Sequence, residues 1–339
     1  MKKIAIYGAY GYQGRLVLDE LERRDAEVVL VGRSAERLAG VGGGHETRTA
    51  GIDHDELVAA FRGVDAVVNC AGPFTPAGTT VVRAAITAGC HYVDTSGEQL
   101  HIKSVYDGCS EDARRAGVIV TPAMTDGGVP GDLLARLLAD HLGGGPLDEV
   151  LTGHSAVGGG GMSRGSMRSL LGTADVVKSG GLVYEGGVWS ADAAPRLADL
   201  EFPGRGVVPM SRFALPEVAS IPRHVRVENV QGFVEADLAA RFSGATVPEE
   251  AVNAFPEGPD AVARQGQRWT VVVVATTLDG RRATGIAQGF DTYGTTAAIA
   301  AEGTLRLDGP AGVRAPAEVL SAASFLDALA THGVTWRIT

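Results

Sequence analysis

Three evenly spaced glycines, Gly8, Gly11 and Gly14, are the residues of this 339-residue chain whose spacing most clearly implies chemistry. An apolar run, Lys3 to Tyr7, precedes them, and a helical pattern with Leu16, Val17, Leu18 and Leu21 on its apolar side follows. A second apolar run ends at Gly32-Arg33-Ser34. Strand, glycine turn, helix and strand make one βαβ unit. In such a turn one glycine permits the tight bend, one lets the backbone approach a pyrophosphate, and one lets helix and strand pack closely. The helix start offers unpaired N–H groups and partial positive charge to the phosphates. Gln13 lies in the same turn, and Tyr10 and Tyr12 are positioned either to cover a ring of the ligand or to pack over the turn. The spacing is G-x-x-G-x-x-G, not G-x-G-x-x-G, and the plain alternative is a glycine-rich turn that holds no ligand.

The end of the second strand selects the dinucleotide. An NAD site places Asp or Glu about 20 residues past the glycines, to hold the ribose 2′-OH. This chain has Arg33 there, then Ser34, and Arg37 one turn on. A guanidinium pairs with a 2′-phosphate in a fork geometry, so the expected cofactor is NADP. The alternative for Arg33 and Arg37 is two solvated charges. Asp53, with Glu56 three residues on, reads as a helix N-cap, an adenine contact, or both. The turn Cys70-Ala71-Gly72-Pro73-Phe74 follows a buried strand, and such carboxyl ends line the ligand crevice of parallel sheets.

Hydride transfer needs a proton donor near the accepting atom. Asp94 and Glu98, on the turn after the fifth strand, are the best-placed acids. Their alternative roles are capping the turn and pairing with a neighbouring base. His154 titrates in the useful range but sits in a strand, where histidines commonly pack. Arg164, at a helix start after four glycines, could hold a substrate carboxylate or phosphate, or be solvated. No spacing suits zinc. No Tyr-x-x-x-Lys pair is present, which argues against an ordinary short-chain dehydrogenase.

These residues need a scaffold. Hydrophobic content is 45% and charged content 21%, a globular composition. The net charge of −10 argues against nucleic acid or an anionic membrane as partner, and no apolar segment approaches membrane-spanning length. Three cysteines without a C-x-x-C pair, and no signal peptide, read as reduced thiols of a cytoplasmic protein. Strands and helices alternate through Pro122, which implies an α/β fold with a parallel sheet covered on both faces. Beyond it, Arg268 to Thr277 and Arg281 to Phe290, joined at Asp279-Gly280, predict an antiparallel hairpin. Gly40 to Gly44 reads as a flexible loop, and the Pro-rich stretch Phe202 to Pro222 as irregular, a lid or a substrate-facing loop. Glu318 to His332 reads as one helix. The expected organisation is a Rossmann domain (1–125), a second α/β domain with a mixed or antiparallel sheet (126–292), and a carboxy-terminal segment (293–339) returning to the first.

With these residues placed, the chain resembles the saccharopine dehydrogenase-like reductases. Gly8-x-x-Gly11-x-x-Gly14 with Arg33, Asn69 to Phe74, Tyr92-x-Asp94-x-x-Gly97-Glu98 and Gly128-Val-Pro-Gly-Asp-Leu133 carry the likeness over roughly the first 135 residues. Gly158 to Ser166 and the helix after Tyr293 resemble the subgroup with trans-acting enoyl reductases. Members acting on amino acids carry an acid just before the Pro-Gly pair. Here it is Val129, with Asp126 nearby as a substrate-facing candidate. The resemblance implies hydride transfer from NADPH to a C=N or C=C bond of a small metabolite. The rival expectation is an NADP-binding redox sensor without turnover. Exposed antiparallel edges predict a homodimer.

Overall fold

The computed structural model of the chain describes residues 2–41, 43–191, 193–194, 196–244 and 248–339. Its strands are β1 (Lys3–Tyr7), β2 (Glu27–Gly32), β3 (Glu46–Thr49), β4 (Ala66–Asn69), β5 (His91–Asp94), β6 (Ile119–Thr121), β7 (Leu147–Val157), β8 (Val183–Glu185), β9 (Val188–Ser190), β10 (Leu197–Phe202), β11 (Gly206–Arg212), β12 (Val227–Glu235), β13 (Arg268–Thr277), β14 (Arg282–Phe290), β15 (Gly312–Val313) and β16 (Thr335–Ile338).

The first six strands alternate with helices, so each returns parallel to the last. With β15 they form one sheet in the order β15-β6-β5-β4-β1-β2-β3. Every pairing in it is parallel. Both faces are covered, which explains why its strands read as continuous apolar runs. In β1, Ile4 and Ile6 join one core cluster and Ala5 and Tyr7 the other. The strand order reverses between β1 and β4, and in such sheets ligands bind outside the carboxyl ends at that switch point.

The second sheet runs β10-β11-β12-β7-β13-β14-β16, with the β8–β9 hairpin attached to β12. The β7–β12 pair is parallel and its other pairings are antiparallel. The chain is therefore α/β, with a parallel Rossmann-type sheet and a mixed second sheet. Alternation along β13 divides its burial. Val271, Val273 and Ala275 face the large core shared with helix Val129–His141, and Val272 and Val274 face Phe202, Met210 and Phe233. The hairpin turn at Asp279-Gly280 forms, with Gly280 at φ +86°.

Three local expectations are corrected. The stretch 202–222 is not irregular. Its first part completes the β10–β11 hairpin, and a short helix, Glu217–Ser220, follows. Pro209 fits because β11 pairs with β12 only from Met210 onward, so the missing N–H interrupts no ladder there. The tail is not one helix, because Leu320 adopts extended backbone and splits it into Pro316–Val319 and Ala322–Ala328. The glycine loop expected at 40–44 starts later, since helix Ala35–Val41 extends into it, and Gly42 lies outside the described residues.

Helix Thr292–Arg306 crosses from the end of β14 to pack on helix Tyr12–Glu22. Its buried run Ala297 to Ala301 includes four alanines, which permits that close approach. Of the last strands, β15 extends the first sheet and β16 the second. No helix among the described residues is long and apolar enough to cross a membrane.

Phe325, 1% exposed, anchors helix Ala322–Ala328 in the shared core. Phe325→Ala should lower the unfolding free energy by about 3–5 kcal/mol in urea titration, the usual effect of an aromatic-sized cavity.

Candidate functional site

The glycine turn is built by exclusion. Gly8 holds φ +84°, and a Cβ there would lie 3.0 Å from Ala71. A Cβ on Gly14 would come within 2.3 Å of the Gly8 carbonyl, so only glycine lets helix Tyr12–Glu22 start against β1. Gly11 is its N-cap and carries no capping side chain. The first N–H groups of the helix therefore have no intrahelical acceptor and are open to a phosphate.

At the end of β2, the missing Cβ of Gly32 makes room for the Tyr10 ring, whose Cε1 would lie 2.7 Å away. The Arg37 guanidinium stacks over that ring at 4.2 Å. Arg33 is exposed and makes no hydrogen bond or ion pair among the described residues. The Ser34 hydroxyl accepts the Arg37 N–H at 3.3 Å. Asp53 caps helix His54–Phe61 by accepting the N–H groups of Asp55 and Glu56.

Residues of the second half lie against this turn. The Tyr12 hydroxyl donates to the Pro259 carbonyl at 2.5 Å, and the Tyr12 ring meets Tyr293 edge-on at 5.1 Å. Gln13 donates to the Tyr293 carbonyl at 3.2 Å. Glu257 pairs with Arg15 at 2.5 Å and lies 3.7 Å from Arg37. Arg164 holds the same segment, its guanidinium donating to the Phe255 carbonyl at 2.6 Å and its N–H to the Glu257 carbonyl at 3.1 Å. Arg164 thus ties down the cover over the turn, away from the cleft described below.

Asp94 and Glu98 occur together as buried acceptors. The Asp94 carboxylate accepts four hydrogen bonds: from Ser96 N–H (3.1 Å), Ala123 N–H (2.9 Å), the Tyr92 hydroxyl (3.0 Å) and His101 Nε2 (3.0 Å). Glu98 accepts from Phe74 N–H (2.8 Å), Thr75 N–H (2.7 Å) and the Thr75 hydroxyl (2.5 Å). Asp94 is fully buried and Glu98 is 5% exposed. Glu98 thus holds the end of the turn Cys70 to Phe74, and Asp94 holds its own turn to helix Gln99–Ala116 and to the exit of β6, with both oxygens of each carboxylate engaged. Cys70, in that turn, is pushed up to about 12 by burial, which outweighs its hydrogen bond with Thr95. Its thiol is inert at neutral pH. Phe74 is buried against His101.

Asp126 and His154, 28 residues apart in sequence, converge. They line one cleft of about 60 Å³ with Ser155, Trp269, Thr270 and Thr292. Asp126 follows β6 on the carboxyl edge of the parallel sheet, and His154 projects from β7, paired in register with Val271 and Val234. The Thr296 hydroxyl donates to the Asp126 carboxylate at 2.7 Å. Burial pushes Asp126 up to about 6, against the lowering effects of Thr296 and of the His154 charge. For His154, burial works to lower the pKa, but the charge and hydrogen bond of Glu217 and the charge of Asp126 raise it overall. His154 Nε2 lies 2.5 Å from the Glu217 carboxylate. Glu217 is the residue that reasoning from sequence missed, because nothing in the Pro-rich stretch around it marks one acid as special.

Residues 4–121 match the family model described as the saccharopine dehydrogenase NADP binding domain. This part of the chain is an NADP-binding domain. The glycine turn, the open helix start and the arginines beside Tyr10 fit that cofactor. A lipid droplet localized protein of Caenorhabditis elegans is 28% identical over 157 residues, 42% of this chain and 37% of that protein. A trans-acting enoyl reductase of Mycobacterium tuberculosis is 31% identical over 140 residues, 38% of this chain and 34% of that protein. The matched segment spans little more than a third of these curated relatives. Among solved structures, a saccharopine dehydrogenase (L-Glu forming) from Saccharomyces cerevisiae aligns over 100% of this chain and 99% of its own, with TM-score 0.60 and 14% identity. That likeness extends the shared fold over both sheets of the NADP-binding chain.

A carboxyl whose folded pKa is raised favours its protonated form, so folding loses stability as pH rises from its unfolded value of 3.8 through about 6. Asp126→Asn removes that loss. The variant's Tm advantage over wild type should be larger at pH 7.5 than at pH 4.5. A pH-independent difference would rule out this assignment.

Proposed function

We propose that the chain is an NADPH-dependent reductase of the saccharopine dehydrogenase-like type, delivering hydride to a C=N or C=C bond of a small metabolite. The observation that carries this reading is the convergence of Asp126 and His154 in one cleft on the carboxyl edge of an NADP-binding sheet. NADPH, when bound, supplies the hydride, and the protein supplies position, electrostatics and the proton. Gly8, Gly11 and Gly14 with the helix start hold the pyrophosphate, and Arg33, Ser34 and Arg37 take the 2′-phosphate beside Tyr10. The turn Cys70 to Phe74 lies along the nicotinamide side. A carboxyl pushed up to about 6 and an imidazole whose pKa a nearby carboxylate raises suit proton transfer. Asp126 and His154 fill these roles, with Asp126 also facing the substrate.

A cleft of about 60 Å³ is small beside the 300–1,000 Å³ of ordinary ligand sites, so a metabolite enters only if neighbouring segments move. The same smallness favours a second reading, an NADP-binding redox sensor without turnover. A panel of cyclic imines and enones separates the two. Wild-type protein should oxidise NADPH with at least one of them. Tight NADPH binding with no oxidation across the panel supports the sensor.

The three cysteines are free thiols, consistent with a cytoplasmic setting. The β10 edge presents Leu197, 77% exposed, and supports pairing of two chains as a homodimer.

A charge-assisted hydrogen bond is worth about 1.5–3 kcal/mol, or roughly 10- to 150-fold in affinity. Arg33→Ala and Arg37→Ala should each weaken NADPH binding by about that factor in fluorescence titration and leave NADH binding unchanged. Equal effects on both nucleotides would refute the 2′-phosphate assignment.

A further inference from the structure

We propose that Glu217 is a positioning residue of this cleft: its carboxylate holds His154 by Nε2 and so presents Nδ1 as the ring nitrogen that exchanges a proton with substrate. The inference deepens the reductase reading and rests on it.

Four observations converge. His154 Nε2 lies 2.5 Å from Glu217 Oε1, and Nδ1 makes no hydrogen bond among the described residues. Glu217 is fully buried, whereas the His154 side chain remains 15% exposed, on the cleft. The other oxygen, Glu217 Oε2, is buried without a hydrogen-bond partner. A buried carboxylate in that state is costly unless a cation neutralises it, and His154 is the group in reach to do so. Finally, the carboxylate is seated against a position that bears no side chain. A Cβ on Gly131, in helix Val129–His141, would come within 2.3 Å of Glu217 Oε1.

The parts come from three elements. Glu217 opens the short helix after the β10–β11 hairpin, His154 is on β7, and Gly131 is in the helix that follows the Asp126 loop. The charged groups facing His154 are Glu217 and Asp126. In the proton step the imidazolium releases its Nδ1 proton to the substrate atom that gains negative charge as hydride adds at the neighbouring carbon. The Nε2–H stays on Glu217, the ring becomes neutral, and solvent returns the proton. The carboxylate thus fixes the tautomer and favours the protonated ring. A purely structural buried pair would not require one ring nitrogen to stay open to the cleft.

The test is an NMR titration of the His154 ring in the full chain with saturating NADP⁺. It compares wild type, Glu217→Gln and Gly131→Ala. Glu217→Gln keeps a hydrogen-bond acceptor and removes the charge. Gly131→Ala leaves Glu217 intact but pushes its carboxylate aside, and alanine suits a helix, so the two variants do not share one folding fault. In both, the His154 pKa should fall by about one unit or more, the scale of losing a close opposite charge. Asp126→Asn measures the coupling of the second facing charge separately. With 1-pyrroline and 2-cyclohexenone as probe substrates, kcat at pH 8 should drop about tenfold in Glu217→Gln, with KM and NADPH affinity unchanged. An unmoved His154 pKa in both variants overturns the proposal. A lowered pKa in protein that oxidises no NADPH with either probe upholds Glu217 as the partner that sets the His154 ring and overturns the reductase reading instead.

Discussion

A buried carboxylate must find donors, and Asp94 finds four, from β5, its own turn, helix Gln99–Ala116 and the end of β6. Each of these contacts fixes a different part of the carboxyl edge. The Ala123 N–H contact and the Met124 N–H bond to the Asp94 carbonyl set the path on which the chain leaves β6. Ala123 sits there at φ +63°, a conformation that side-chain-bearing residues rarely adopt and that these bonds impose. Asp126 follows three residues later. Glu98 does the same for the turn after β4 by gathering Phe74 and Thr75. Two acids that look catalytic in sequence are the rivets of the crevice wall.

The second sheet supplies what the first lacks. β7 brings both His154 and Ser155 to the border of the cleft, and the Ser155 hydroxyl donates to Glu235. The helix Thr292–Arg306 joins the halves. Its Asp291 cap and Thr296 meet, respectively, the end of β14 and Asp126. Tyr293 in the same turn touches Tyr12, Gln13 and Ser163. One helix start therefore contacts the glycine turn, the candidate acid and the segment covering the turn.

Electrostatics near the glycine turn are finely divided. Arg37 stands between the Tyr10 ring and Glu257, while Arg33 faces solvent. Arg15 is held by Glu257 and by the Tyr10 carbonyl. Positive side chains thus stand around the Tyr10 end of the glycine turn, although the chain as a whole is acidic.

The sequence by itself determined the βαβ opening, the parallel sheet through β6, the β13–β14 hairpin and the cofactor class. Each of these rests on short-range physics: glycines that a turn requires, apolar periodicity, and an arginine where a strand ends. It also named the two cleft residues, Asp126 and His154, without bringing them together. The tertiary structure decided what the acids do. Asp94 and Glu98 have the residue types of proton donors, but only the fold reveals that every oxygen is already engaged. Glu217 becomes the partner of His154 through a contact between residues 63 positions apart, set by the packing of three separate elements. Burial and hydrogen-bond satisfaction are properties of neighbours in space, and a linear pattern carries no record of them.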